Sequence, residues 1–411
     1  MSRTRVAALA ALTFALTVAG AARAQQSAAP SSCNGAPAEP ITIVDVPGNP
    51  FQALPSADGC WIFVSMPGGQ ARGASKIGVL HRGGGKLSVE RVISIDGNPT
   101  GMVITHDGRT LIVADGPRIA FVDVDKLVKA RGNAVLGYLD EPGRLGRIYA
   151  NVTLDDKTLF VADESAETIS VIDLAKIRAS GFHASSIVGK IPTGAAPIAL
   201  TFSPDEKRLY TTSQRAPKSL NWPIECKREG GAATDTTPVN PQGAILIVDV
   251  ARAQSDPAGS VIGAVPAGCS SVRLVLSPSG DRAYVTARNS NALLVFDTAK
   301  LTTDPGHARL GSVALGTAPV GVAVVDSGRK IIVTNSNRFA GSSNDRQTLT
   351  VVDATKIGSG DRAILGSIPA GAFPREMRVT PDGTALIVTN FASRSIEMID
   401  LTRLPIAPQK P

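Results

Sequence analysis

The sequence predicts an all-β fold: a seven-bladed β-propeller with four antiparallel strands per blade, its last blade closed by an N-terminal strand. Three observations predict it. A four-strand phrase recurs along most of the chain, a polar turn recurs seven times within it, and the final copy lacks its fourth strand. Recurrence at a fixed period marks a repeat architecture, and four short strands per unit is the signature of a propeller.

The chain opens with Arg3 and Arg5, an uncharged apolar run from Val6 to Ala19, and then Ala22-Arg23-Ala24. That order of positive, apolar and small residues predicts a secretory signal cleaved after Ala24. Residues 1–24 are therefore set aside as a signal peptide. Residues 25–40 are expected to be a flexible tail, 41–405 the propeller, and 406–411 a C-terminal tail. No later stretch reaches the roughly 20 apolar residues of a spanning helix, so no membrane span is expected after cleavage. The expected location is periplasmic or secreted, and the expected state is a monomer. The formal net charge is +7, part of it from the signal arginines. The remaining basic residues are scattered, with no Lys/Arg block and no basic stripe interleaved with aromatics. Nucleic acid is therefore not an expected partner.

The clearest copy of the phrase runs from Thr317 to Gly371. Ala318-Pro319 leads into a strand over 320–325, turned by Asp326-Ser327-Gly328. Lys330–Asn335 is the second strand, Thr348–Asp353 the third, and 364–368 the fourth. The polar turn recurs at Asp58-Gly59, Asp107-Gly108, Asp155-Asp156, Asp205-Glu206, Ser279-Gly280 and Asp382-Gly383. Copies begin near Asn49, Asn98, Gly146, Ala196, Cys269, Ala318 and Phe373. Their Val, Ile and Leu runs, broken by Gly, Pro, Asn and Asp, are strand patterns. A single four-stranded sheet cannot bury its own faces, so neighbouring blades must stack. The turn aspartates are expected to accept backbone N–H bonds. The aspartates ending the third strands (Asp123, Asp173, Asp249, Asp297, Asp353 and Asp400) are expected to do the same at the next hairpin.

The seventh copy ends after 395–401, without a fourth strand. The segment Ile41-Thr42-Ile43-Val44-Asp45-Val46-Pro47 matches a fourth strand and its turn. It is predicted to complete blade seven, removing an open edge that would invite aggregation.

Tyr284-Val285-Thr286, Ile332-Val333-Thr334-Asn335 and Ile387-Val388-Thr389-Asn390, each after a polar turn and followed by Val-Asp, Phe-Asp or Ile-Asp, resemble the YVTN β-propeller repeat family. The resemblance covers nearly all of residues 41–405. It implies the propeller fold and an exported protein. It leaves the role open, since members are mostly of undefined function and relatives sharing the fold include sugar lactonases.

Cysteines fall at Cys33, Cys60, Cys226 and Cys269. An even count in an exported chain predicts two disulfides, with three connectivities possible. Propeller topology selects between them. The connections into first strands and between second and third strands share one face, the top. The other turns share the bottom. Cys33 and Cys60 both belong to the bottom, in neighbouring blades seven and one. Cys226 and Cys269 both belong to the top, in blades four and five. The expected bonds are Cys33–Cys60 and Cys226–Cys269.

Blade four carries a long second-to-third-strand insertion from Gln214 to Gly243, including Trp222, where a long loop on a rigid scaffold suggests function. The channel top is expected to be lined by Gln52, Thr100, Tyr149, Ile198, Arg273, Gly321, Arg375 and Glu376. Second-strand ends, including Asp115, Arg288, Asn335 and Asn390, should surround them. Arginines among Asn and Asp residues suit an anionic ligand. The expected ligand-binding set is thus Arg273, Arg375, Glu376, Asn335, Asn390, Arg288, Asp115 and Trp222.

No Gly-x-Ser-x-Gly elbow and no H-E-x-x-H occurs, and the four histidines lie in unrelated parts of the repeat. No metal or other cofactor is expected on this reading, and no catalytic residue is assigned. Two functions stay open. One is a non-catalytic scaffold binding an extracytoplasmic protein or a small anionic ligand at the top face. The other is a metal-assisted, lactonase-like hydrolase with a Ca-type site at the channel mouth, built from Glu376, Asn335, Asn390 and Asp115.

Overall fold

The structure is a computed structural model that describes residues 33–68, 75–141, 146–217, 242–338 and 347–408. The predicted ring is observed: seven antiparallel sheets, six built from consecutive strands and the seventh from the last three strands and the first. Second and third strands are apolar on both faces, as in Lys330–Asn335 and Thr348–Asp353, where Ile331, Ile332, Val333, Leu349, Val351 and Val352 have no exposed surface. Both faces are covered because the core lies between blades. One cluster joins Ile245, Ile247 and Val265 of blade four to Val285, Leu294 and Phe296 of blade five. In blade four the first strand is broken into Ala195–Pro197 and Thr201–Phe202.

Closure follows the prediction. Ile41–Asp45 pairs antiparallel with Ser395–Asp400, in a register from Ile41 opposite Ile399 to Asp45 opposite Ser395. The blade-seven strands then pack on blade one through Val46, Ile62, Val64, Leu80, Ile387 and Met398. Cys33 and Cys60 are disulfide-bonded, as the topology required. Cys269 is also disulfide-bonded, while Cys226 lies outside the described residues, as do Trp222 and most of the blade-four insertion.

The segment before the closing strand is fastened more firmly than a flexible tail. The Arg82 side chain is 1% exposed and donates to Gly35 O at 2.6 Å, Thr384 Oγ1 at 2.7 Å and Asp382 Oδ2 at 3.0 Å. Gly35 N donates to the same carboxylate at 2.8 Å. Burial works to raise the Asp382 pKa. Hydrogen bonds from Thr380, Gly35, Arg82 and Thr384 outweigh it and hold the carboxyl well below its usual range. This cluster ties residues 33–40 to blades one and seven together.

The threonine of the repeat has a specific role. Thr286 Oγ1 accepts from Arg273 N at 3.0 Å in its own blade and donates to Val320 O at 2.8 Å in the next. Thr212 does the same between Ala199 N and Val272 O, Thr389 between Glu376 N and Phe51 O, and Ser65 between Gln52 N and Thr100 O. Blades two and three, which carry Ala114 and Ala162 there, lack this hydroxyl. In blade two the Thr100 hydroxyl stands in instead, 3.0 Å from both Ala114 O and Arg147 O of the next blade.

The turn aspartates behave as expected; Asp107 Oδ1, for example, accepts from Arg109 N at 3.0 Å. The third-strand aspartates also accept backbone N–H bonds as expected, but at short helices or helical turns and not at hairpins, because most third-to-fourth connections are of that kind. Asp123, Asp173 and Asp249 cap helices Val124–Lys129, Leu174–Ser180 and Val250–Ala253, accepting from the third backbone N–H onward. These connections pack on the fourth strand of the preceding blade where it carries glycine. A Cβ at Gly137 would stand 2.3 Å from the Phe182 ring. Pro257, Thr302 and Ile357 take the matching places over Gly189, Gly263 and Gly311. Blade seven has no such connection, and the C-terminal segment replaces it. Ala407 exchanges backbone hydrogen bonds with Ser367 at 2.8 and 3.0 Å. Gly366, at φ 142°, gives Ala407 O its room. The ordered fold thus continues past residue 405.

Two outcomes are expected. Thr286→Val should leave the Arg273 N–H and Val320 carbonyl without a partner and lower stability by about 1–3 kcal/mol in denaturant titration. Replacing Cys33 and Cys60 together by serine should cost about 3.5 kcal/mol by the loop-entropy argument, read as a lower unfolding midpoint that reductant no longer shifts by opening this bond.

Candidate functional site

First strands line the channel, and most begin with a break in register. Pairing slips between Arg147 and Tyr149, Ser271 and Leu274, Pro319 and Val322, and Pro374 and Glu376. A bulge re-aims side chains that strict alternation would send to opposite faces. That is how the adjacent residues Arg375 and Glu376 both reach partners on other blades.

Glu376 of blade seven is 4% exposed and forms the hub. Its Oε2 accepts from Arg273 of blade five at 2.9 Å and from the Tyr149 hydroxyl of blade three at 3.1 Å. Its Oε1 lies 2.8 Å from Arg378 Nη2. Arg273 also donates to the Tyr149 hydroxyl and stacks on that ring at 3.9 Å. Above them Arg375 lies 3.8 Å over the Phe51 ring, which is 5.6 Å from Tyr149. Phe373 and Phe391 stand 5.6 and 5.7 Å from the same guanidinium. Arg375, Phe51, Tyr149 and Arg273 therefore form a cation–ring–ring–cation stack in the channel.

Arg273 and Arg378 share the Glu376 carboxylate. Arg375 has no hydrogen bond or ion pair with any described residue and feels the Glu376 and Glu164 charges only at longer range. Its Nε is buried without a partner. Burial pushes Arg273 and Arg375 down to about 10, against the nearby Glu376 charge, and both remain cations at neutral pH.

The other expected site residues lie elsewhere. Asn335 donates to Thr348 Oγ1 at 3.0 Å and Thr350 Oγ1 at 2.9 Å, inside its own blade. Asn390 donates to Glu397 Oε2 at 2.9 Å, also inside its blade. Arg288 is 9% exposed, in the helical turn Arg288–Ser290 of blade five. Asp115 is fully buried, 3.4 Å from Arg118 Nε. The four residues considered for a Ca-type site do not converge: Glu376 bonds across to blades three and five, Asp115 lies beside Arg118, and Asn335 and Asn390 bond through their amide nitrogens inside their own blades, leaving each Oδ1 buried without a hydrogen-bond partner. Among the described residues no three His, Cys, Asp or Glu side chains converge to hold a metal. Phe51, Phe373, Phe391 and Arg378 were missed from sequence. Phe51 had a signal, since it holds the same place after a proline as Arg375.

A cavity of about 520 Å³ lies on the bottom side of the stack. Tyr149, Arg273, Glu376 and Arg378 line its inner end, and it reaches His106 and Glu206 in bottom-face turns. Phe51 and Arg375 are not part of its wall.

No family model matches the chain. No curated protein matches it in sequence. Among solved structures it is similar to Kuenenia stuttgartiensis hydrazine synthase, with TM-score 0.62 and 16% identity over 87% of this chain and 97% of that one. A chain of the mitotic checkpoint complex gives TM-score 0.62 and 13% identity, over 97% and 99%. The β-propeller domain of Cps50 (Swd1) from Myceliophteria thermophila gives 0.59 and 12%, over 88% and 99%. At these identities the likeness establishes the fold alone.

Burial pushes Asp115 up to about 7, and Arg118 and the Asn98 backbone N–H offset only part of this. A carboxyl raised in the fold is neutral there while the unfolded chain ionises. Its contribution therefore falls as pH rises from about 4 to 7 and stays low above, by at most about 4 kcal/mol. Asp115→Asn, which places an amide where blades six and seven carry Asn335 and Asn390, should raise the melting temperature at pH 8. The gain should shrink steadily in scans down to pH 4.

Proposed function

We propose that this chain is a YVTN-repeat-type propeller acting outside the cytoplasm as a non-catalytic binding module. It takes an anionic group, from a small ligand or a protein partner, on Arg375 at the top of the channel. The observation that carries this reading is the Arg375 guanidinium: stacked on Phe51, flanked by Phe373 and Phe391, and without a hydrogen-bonded or ion-paired carboxylate among the described residues. A desolvated guanidinium gains most from a bidentate carboxylate or phosphate. The rings fix its plane, so little side-chain freedom remains to be lost on binding. The Cys33–Cys60 bond is compatible with an oxidising compartment. Among the described residues no helix is long and apolar enough to cross a membrane.

Acetate, succinate, citrate and inorganic phosphate, titrated at constant ionic strength, form the test. At least one should raise the melting temperature of the wild type, by an amount that grows with the logarithm of concentration. Arg375→Gln should abolish that rise, while CaCl₂ and EDTA should move neither protein. Equal responses from wild type and Arg375→Gln would refute the reading.

A further inference from the structure

The cavity on the bottom side of the stack lies apart from the Arg375 site, and its chemistry is two-part. Much of its wall is apolar, built from Leu54, Met102, Phe202, Val275, Leu276 and Met377, with Asn151, Thr201, His106 and Glu206 as polar interruptions. Its inner end is polar and built: Arg273 is 9% exposed, Tyr149 5% and Glu376 4%. Both Glu376 oxygens are occupied, one by Arg273 and Tyr149 and the other by Arg378. The Tyr149 hydroxyl is shared between the same carboxylate and Arg273. Three of the carboxylate's four acceptor positions are thus taken. The two arginines retain donors, because each guanidinium carries five N–H groups, and here each meets its partners through Nη2 alone. Arg378 Nε is buried without a hydrogen-bond partner. Arg273 and Arg378 against Glu376 leave a net positive charge at the inner end of the cavity, carried by Arg378, whose side chain is 42% exposed. A volume of about 520 Å³ is in the range of small-molecule sites.

From this geometry we infer that the channel is a second ligand site, reached from the bottom face, for a small monocarboxylate with an apolar body such as an aryl-acetate or a medium-chain acid. The carboxylate meets Arg378 and Arg273 at the inner end. The apolar body replaces water against the walls. The net positive charge at the inner end favours an anion over an amine or a neutral amide.

The test uses the full mature chain and isothermal titration with phenylacetate and octanoate, with phenylacetamide as the neutral isostere and acetate as the acid without a body. Phenylacetate or octanoate should bind, acetate far more weakly, and phenylacetamide not measurably. Arg378→Gln removes the excess charge, leaves the Arg273–Glu376 pair, and should weaken acid binding about ten-fold or more. Val275→Phe, which fills the wall, should weaken octanoate while leaving the melting temperature of the free protein near wild type. The inference fails if the amide binds as well as the acid, if Arg378→Gln binds like wild type, or if neither acid binds. Loss in Arg375→Gln with no effect of Arg378→Gln would also overturn it, by assigning the acids to the top site and leaving that reading intact.

Discussion

The pairing of Ile41–Asp45 with Ser395–Asp400 is the contact on which the rest of the molecule depends. A propeller blade buries its faces only against its neighbours, so an open ring would leave two blade faces and a strand edge in water. Closing with a strand from the other end of the chain makes blade seven a composite. The ends cannot separate without breaking a sheet. The disulfide at Cys33 and the buried Arg82–Asp382 cluster reinforce the same seam from the bottom face. Lysine-rich or charged edges are one way to protect a sheet; here covalent and ionic fastening is concentrated where the ring would open.

Around the ring, two small devices set the spacing of blades. Near the axis, a hydroxyl at the end of the second strand accepts from its own first strand and donates to the next one. At the rim, a missing side chain on the fourth strand admits a helix or turn from the following blade. The first device satisfies backbone groups left unpaired by the bulges. The second lets the outer parts of the blades approach closely. The C-terminal segment over Gly366 shows that the rim position needs filling even where the repeat supplies nothing to fill it.

The bulges also connect architecture to chemistry. They free backbone groups that the hydroxyls then satisfy, and they bring consecutive residues of one strand to the channel. Arg375 and Glu376 are neighbours in sequence, yet one stacks on blade one and the other joins blades three and five. The resulting stack divides the channel into an upper mouth, where a cation lacks a partner, and a lower cavity with greasy walls. Seven near-identical units thus enclose a space with no symmetry, because the repeat constrains the strands and leaves the channel side chains free to differ.

Much of this was readable from the chain. Periodic strands, polar turns and a last copy short of one strand determined the number of blades, the closure and the Cys33–Cys60 pairing, since each follows from local pattern plus ring topology. The roles of Asn335 and Asn390 were not readable. Their position at strand ends pointed to the channel mouth, but acceptors on the adjacent third strand, the Thr348 and Thr350 hydroxyls and the Glu397 carboxylate, lie closer and take their amides. Nor could the sequence show that Tyr149, Arg273 and Glu376 meet. They lie 124 and 103 residues apart in succession, on alternate blades. What joins them is the channel's width and the turn each bulge gives its strand, which are properties of the closed ring and of no single repeat.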